Sequence, residues 1–170
     1  MEQVKIAING FGRIGRQFLK VALENKSLDI AAINDLGDIK NLAYLLEFDS
    51  VYGRYDKKIA IENNEIIIGD KKIKYFKEPN PEKLPWKELN IDIVVESTGF
   101  FTSYEKAKAH LNAGAKRVVL SAPAKDENET VTATPNVNIA AMEKSKITSN
   151  ASCTTNAITP IASIMSKNPG

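Results

Sequence analysis

Cysteine, histidine and tryptophan occur once each in this chain of 170 residues. A lone cysteine, Cys153, cannot close an intramolecular disulfide, so a reducing, cytoplasmic setting is expected. One cysteine and one histidine give no metal-ligand spacing, and no metal site is expected. Excess charge of one sign is missing as well. The 23 basic and 21 acidic residues are mixed along the chain for a net charge of +2, too weak a field to make nucleic acid or an anionic membrane the main partner. No apolar run approaches the roughly 20 residues that cross a bilayer. The opening Met1-Glu2-Gln3-Val4-Lys5 has neither the basic stretch nor the long apolar stretch of a secretory leader. Repeats and low-complexity tracts are absent too. What remains is a soluble chain of one domain, or one and part of another, directed at small molecules.

The apolar segments are of two alternating kinds. Val4 to Asn9, Leu28 to Asn34, Ile91 to Glu96 and Arg117 to Leu120 are short, β-branched and bounded by turn residues, as strands buried on both faces are. Between them lie helical spacings. Ile14, Phe18, Val21 and Ala22 predict one apolar stripe, and Leu42, Leu45 and Leu46 another that ends at Asp49. Thr102-Ser103-Tyr104-Glu105 reads as a capping box opening a helix to Asn112 or Ala113, with Gly114 at its C′ position. Strand, helix and strand in repetition predict an α/β, Rossmann-like, doubly wound and mainly parallel sheet. Between Tyr52 and Tyr75 three short β-prone runs separated by Asn63-Asn64 and Gly69-Asp70 predict a small antiparallel insertion. The proline-rich stretch from Lys77 to Trp86 should return irregularly to the sheet. A last helix should begin at Ser152, carry Pro160 near its first turns and stop at Asn168-Pro169-Gly170.

Gly10-Phe11-Gly12-Arg13-Ile14-Gly15 follows the first strand directly and opens the first helix. In that context each glycine has a task. Gly10 permits the turn, Gly12 lets the backbone approach a pyrophosphate, and Gly15 lets helix and strand pack closely. Asp35 lies twenty residues beyond Gly15, at the end of the second strand, where a carboxylate can accept both hydroxyls of an adenosine ribose. It would repel a 2′-phosphate, and with Leu36 beside it and no adjacent arginine this favours NAD over NADP. Ser97-Thr98-Gly99-Phe100-Phe101 and Ser121-Ala122-Pro123-Ala124 end two further strands, where such sheets bind ligands.

Cys153 sits in Ser149-Asn150-Ala151-Ser152-Cys153-Thr154-Thr155-Asn156, among polar neighbours rather than the apolar ones of an inert core thiol. A helix start favours thiolate over thiol, and the hydroxyls of Ser152 and Thr154 could hold a phosphate or carbonyl oxygen. A nucleophilic thiol beside a nicotinamide suggests oxidation of an aldehyde through a thioester. That reaction needs a base. His110 lies inside the helix opened at Thr102, flanked by Ala109 and Leu111, and reads as a partly exposed helix residue away from the strand ends.

Five segments in order resemble the phosphorylating glyceraldehyde-3-phosphate dehydrogenases: Asn9 to Arg16, Ile33 to Leu36, Val95 to Gly99, Ser121 to Asp126 and Ser149 to Asn156. The resemblance runs from Val4 to Gly170. It implies NAD contacts at Gly10, Phe11, Gly12, Arg13, Ile14, Asp35, Leu36, Pro79, Ser97, Thr98, Gly99, Phe101 and Ser121. It further implies a catalytic nucleophile at Cys153 and substrate contacts from Ser152, Cys153 and Thr154. The implied reaction oxidises glyceraldehyde-3-phosphate with inorganic phosphate to 1,3-bisphosphoglycerate in glycolysis, and the implied assembly is a homotetramer. Erythrose-4-phosphate dehydrogenase has similar opening and cysteine segments, and a non-catalytic NAD-binding module is the alternative of another class.

Departures from the family pattern are local. Pro79 stands where an arginine or lysine is usual near the adenine, leaving a backbone carbonyl contact there and Lys77 as a substitute. Ala157 replaces a second cysteine, and Thr134-Pro135-Asn136-Val137-Asn138 replaces a Gly-Val-Asn loop. The resemblance places the catalytic histidine, the second phosphate site and a returning helix beyond Gly170. Residues 1–151 are therefore expected to form the NAD domain and 152–170 the start of a catalytic domain. The chain should be inactive alone, with apolar surface exposed on the flank of its sheet.

Overall fold

A computed structural model describes residues 3–126 and 130–168. Its elements run β1 (Val4–Asn9), α1 (Arg13–Ala22), β2 (Leu28–Asn34), α2 (Ile39–Glu47), β3 (Phe48–Asp49), β4 (Gly53–Arg54), β5 (Ile59–Glu62), β6 (Glu65–Ile68), β7 (Lys71–Phe76), β8 (Ile93–Glu96), α3 (Tyr104–Asn112), β9 (Arg117–Leu120), β10 (Val131–Thr132), β11 (Ile147–Ser149) and α4 (Cys153–Lys167). Nine strands form one sheet in the order β10-β11-β9-β8-β1-β2-β7-β6-β5. Every pairing from β10 across to β7 is parallel, and within this sheet β5, β6 and β7 pair antiparallel; β3 and β4 form a separate two-stranded antiparallel sheet. The expected insertion is thus present. It is the far edge of the main sheet, because β7 pairs with β2. Asn63 and Asn64, with φ of 48° and 65°, make the tight turn between β5 and β6.

The alternation of β1 divides the core. Ile6 and Ile8 pack with Leu19 and Ala22 of α1 and with Leu42 and Leu46 of α2, while Ala7 faces Trp86, Ile91 and Val94 on the other side. A register shift opposite Ile6 and Ala7 puts one extra residue in β2, which brings both Ile30 and Ile33 onto the α1 face despite their odd spacing. Beyond β8 a third cluster joins Ala107 of α3 to Val118, Leu120 and Ile147. Full burial of each large side chain here stabilises by about 1.5–3 kcal/mol.

Several helix expectations need correction. In α1 the buried positions are Gly15, Arg16, Leu19 and Ala22, whereas Ile14 and Val21 are exposed. The helix is turned by Gly15, at which a Cβ would stand 2.2 Å from the Gly10 carbonyl oxygen. That glycine must face the strand, and the stripe follows it at 15, 19 and 22. The capping box at Thr102 does not form. Ser103 is the N-cap without a side-chain bond, the buried Thr102 hydroxyl has no partner, and the Asp126 carboxylate takes the Tyr104 N–H instead. Gly114, at φ +105°, does follow the end of α3 as expected. Pro160 lies inside α4, past its second turn, and the helix reaches Lys167; Pro169 and Gly170 of the expected stop lie outside the described residues. β8 starts at Ile93, two residues late, although Ile91 is buried and bonded to the Trp86 carbonyl. The short β3, β4, β10 and β11 were not anticipated. Large exposed apolar side chains include Ile158, Ile161, Ile164 and Met165, all on α4. Among the described residues no helix is long and apolar enough to cross a membrane.

Candidate functional site

The carboxyl ends of β1, β2 and β8 open into a crevice of about 500 Å³, a volume in the range of small-molecule sites. Asn9, Gly10 and Gly12 line it from the first turn, and Asn34, Asp35 and Leu36 from the second. Glu78, Pro79 and Pro81 form one wall, and Ser97, Thr98, Phe100 and Phe101 the other. Gly10 adopts φ +92°, and a Cβ there would lie 2.6 Å from the Thr98 nitrogen, so the ends of β1 and β8 can meet this closely only at a glycine. Gly12 is the N-cap of α1 and has no atom within 4 Å of where its Cβ would be. Bare backbone therefore faces the crevice beside the unpaired first-turn amides of a helix, which suits an anion.

Asp35 is tied to this loop. Its Oδ2 accepts the Phe11 N–H at 2.6 Å and its Oδ1 the Gly37 N–H at 2.7 Å. A carboxylate offers about four lone-pair positions, so each oxygen keeps one for a ligand hydroxyl. Behind it the Tyr75 hydroxyl is shared between the carbonyls of Asp35 and Gly37, at 2.8 and 2.9 Å. Burial, then the nearby Asp35 and Asp38 charges, push the Tyr75 phenol up to about 12. The residues present fit a dinucleotide: a bare glycine turn, a helix N-terminus and a ribose-type carboxylate share one crevice.

The thiol lies on the same edge of the sheet. β11 pairs with β9, which pairs with β8, and the chain leaving β11 turns through Ala151, at φ +61°, into α4. Cys153 is the first residue of that helix and its free thiol is exposed. Ser152 caps the helix, its Oγ accepting the Thr155 N–H at 3.0 Å, with the Thr154 hydroxyl 2.9 Å away. Ser152 also lines a second recess, of about 400 Å³, with Pro123, Ala124, Thr130, Thr132 and Thr155.

Not every expected cofactor residue reaches the crevice. Phe11 is corrected to a core residue: its side chain is fully buried, its N–H goes to Asp35 and its carbonyl accepts Arg16 Nη1. Arg13 and Ile14 are exposed on the first turn of α1 and do not line the crevice. Gly99, at φ +77°, shapes the turn between lining residues, and the Ser121 hydroxyl bonds the Glu96 carbonyl and lies 3.0 Å from that of Ser97. His110 is the largest correction. It is fully buried, with Nδ1 facing Trp86 and Nε2 facing Glu96 at the end of β8. Flanking Ala109 and Leu111 suggested an exposed position, but the inward face of α3 is Ala107 and His110. Asn9, Asn34, Glu78 and Glu96 were missed as site residues; for Asn9, Asn34 and Glu96 the only signal was that polar side chains end three buried strands, and Glu78, in the connection after β7, carried none. Among the described residues no group of three or more acidic, cysteine or histidine side chains could hold a metal.

Residues 4–104 match the family model described as glyceraldehyde 3-phosphate dehydrogenase, NAD binding domain. The chain belongs to the glyceraldehyde 3-phosphate dehydrogenase family. It is 46% identical over 162 residues to the glyceraldehyde-3-phosphate dehydrogenase of Geobacillus stearothermophilus, covering 95% of this chain and 48% of that protein. Its identity to the enzyme of the same name from Thermotoga maritima is 50% over 163 residues, covering 95% and 49%. For that of Mycoplasma pneumoniae it is 49% over 168 residues, covering 98% and 50%. The chain spans about half the length of these relatives. NAD is the cofactor of this domain, and the α/β fold expected from the alternation of strands and helices is that of the family's NAD-binding domain.

Proposed function

We propose that this chain is the cofactor-binding half of a phosphorylating glyceraldehyde-3-phosphate dehydrogenase, with residues 1–151 as the NAD domain and 152–170 opening the catalytic one. The observation that carries the reading is one sheet edge bearing both the Asp35 crevice and an exposed thiol at the first position of a helix. Asp35 accepts the adenosine ribose hydroxyls, the Gly10–Gly12 turn and the first amides of α1 receive the pyrophosphate with Arg13 and Ile14 exposed just outside the crevice, and Leu36, Pro79 and Phe101 offer apolar surface to the adenine. Ser97, Thr98, Gly99 and Ser121 extend the site toward the thiol. NAD, when bound, supplies the hydride acceptor.

Cys153 Sγ attacks the aldehyde carbon of glyceraldehyde-3-phosphate, while Ser152, Thr154 and the first amides of α4 hold phosphate or oxyanion. After oxidation that carbon is held as a thioester, and inorganic phosphate cleaves it to 1,3-bisphosphoglycerate and free thiol. A base must take the hydroxyl proton. His110 is not that base, because both its ring nitrogens are engaged in the core. Steady turnover therefore needs residues other than those described.

Calorimetry tests the reading. NAD should bind one to one, and Asp35→Ala should weaken it about tenfold or more, as loss of a half-buried charged acceptor does. With aldehyde, phosphate and NAD supplied, the 170-residue chain should give no sustained NADH production. No binding, or binding indifferent to Asp35→Ala, would refute the cofactor assignment, and sustained turnover would refute the assignment as half a catalyst.

A further inference from the structure

A buried hydrogen-bonded chain cross-ties the crevice, and its atoms can be assigned from end to end. The Trp86 indole can only donate, and its Nε1 lies 3.0 Å from His110 Nδ1. That nitrogen therefore carries no proton, and Nε2 does. Nε2 donates to Glu96 Oε2 at 3.1 Å, and Asn9 Nδ2 donates to the same oxygen at 2.6 Å. The 3.3 Å approach of Asn9 Nδ2 to His110 Nε2 is then two donors converging on one acceptor. Asn9 being so oriented, its Oδ1 accepts from Asn34 Nδ2 at 2.7 Å. Asn34 clasps the main chain of Glu78, donating to its carbonyl at 3.0 Å and accepting its N–H at 2.9 Å. At the other end, Glu96 Oε1 accepts the Thr98 N–H at 2.7 Å and the Thr98 hydroxyl, which in turn accepts the Phe100 N–H.

We propose that His110 is a positioning residue of the cofactor crevice. Held as the Nε2-H tautomer by Trp86, it locks the Glu96 carboxylate and through it sets both walls, Thr98 to Phe101 on one side and Glu78 to Pro81 on the other. The proposal rests on the crevice being the NAD site. Two features separate this role from core filling. His110, Glu96, Asn9 and Asn34 are each at most 4% exposed, yet each spends at least one polar atom on a neighbour that leads to a crevice wall. The imidazole also meets Phe101, a lining residue, edge to face at 6.1 Å. An apolar ring of similar size would leave the Trp86 N–H without an acceptor and Glu96 one donor short, and buried polar networks lose most when partly satisfied.

Amide exchange of the 170-residue chain without NAD carries the test. His110→Phe should speed exchange at Thr98 and Glu78 about tenfold, the order expected for one lost buried hydrogen bond, with β6 and β7 amides nearly unchanged. The Kd for NAD should rise by a similar factor. His110→Gln, whose amide can accept from Trp86 and donate to Glu96, should recover most of both effects. The single histidine allows a direct check, since long-range nitrogen correlation should show a pyridine-type Nδ1. Unchanged Thr98 and Glu78 amides, equal acceleration in β6 and β7, or a protonated Nδ1 would each overturn the proposal. Should His110→Phe fail to fold, Asn34→Ala cuts the chain at its far wall: it should free the Glu78 amide and weaken NAD while sparing Thr98, and an unchanged Glu78 amide overturns the proposal. Exchange as expected in a wild type that binds no NAD would sink the cofactor reading and leave the positioning role supported.

Discussion

Gly12 and Gly15 are three residues apart in one turn, yet alanine at each should damage a different property. At Gly15 the new Cβ would stand 2.2 Å from the Gly10 carbonyl oxygen and 3.2 Å from Ile8 Cγ2. The nearer obstacle is backbone, so α1 and the end of β1 must separate by about 1 Å to reach ordinary contact. Overpacking of this kind costs up to about 3 kcal/mol, against about 1 kcal/mol gained from the better helix propensity of alanine. The net loss of about 2 kcal/mol corresponds to a fall in Tm of about 4–8 °C for a chain of this size. At Gly12 nothing lies within 4 Å of the Cβ position and φ is −72°, so the added methyl meets no protein atom. The only stability cost is a poorer N-cap, below about 1 kcal/mol. That methyl occupies the side on which a pyrophosphate would approach, and NAD affinity should drop about tenfold or more. Differential scanning calorimetry and NAD titration of the two variants separate the effects. If Gly15→Ala keeps the wild-type Tm, or Gly12→Ala loses stability like Gly15→Ala while binding NAD normally, the close-approach argument is wrong.

Two more predictions concern groups outside the turn. Tyr75 holds its proton more tightly folded, at about 12, than unfolded, near 10. Its contribution to stability is therefore complete below about pH 10 and lost as the pH climbs toward 12. Tyr75→Phe lacks that term, so its denaturation midpoint should fall less steeply over this window; equal slopes for the two proteins would contradict the assigned burial. Ile161 on α4 is 53% exposed whereas Ile66 of β6 is fully buried. In urea titrations Ile66→Ala should cost about 2–5 kcal/mol and Ile161→Ala less than about 0.5 kcal/mol, and a large loss at Ile161 would mean that α4 packs more tightly than its exposed face indicates.

What the sequence disclosed depended on the range of the signal. β1, β2 and β9 were placed to the residue because their apolar runs are bounded by local turn chemistry. The glycine turn and Asp35 were legible through spacing alone. The face of α1 was misread because a stripe count treats glycine as empty, whereas in the fold Gly15 is the point of closest approach and sets the helix rotation. β10 and β11 span two and three residues, too short to show a period. The polar chain under the crevice had no local signal beyond polar residues at strand ends: Asn9 meets Asn34 across 25 residues and Glu96 across 87, and His110 meets Trp86 across 24. Each partner looks like an ordinary strand end or helix residue until the sheet order places β1 between β2 and β8.

The two parts of the edge are held differently, which bears on the division of labour proposed for them. The crevice walls are tied to one another by side chains buried beneath them, so their geometry is fixed before a ligand arrives, and little ordering cost should fall on binding. The thiol sits on a helix that buries none of its side chains fully and presents Ile158, Ile161, Ile164 and Met165 outward. Its first turn is nevertheless well defined: the Ser152 cap is in place, and Asn156 Nδ2 donates to the carbonyls of Asn150 and Ser152 at 2.6 and 2.9 Å. Local bonds thus orient the start of α4, while the rest of the helix lacks the packing that would fix its distance from the crevice. Hydride transfer demands that distance to within a fraction of an ångström. A cofactor crevice fixed from within, beside a thiol that is oriented but not clamped, fits the division of labour proposed above: binding NAD needs only the crevice, whereas the proposed chemistry at Cys153 would also need contacts that hold α4 and a base.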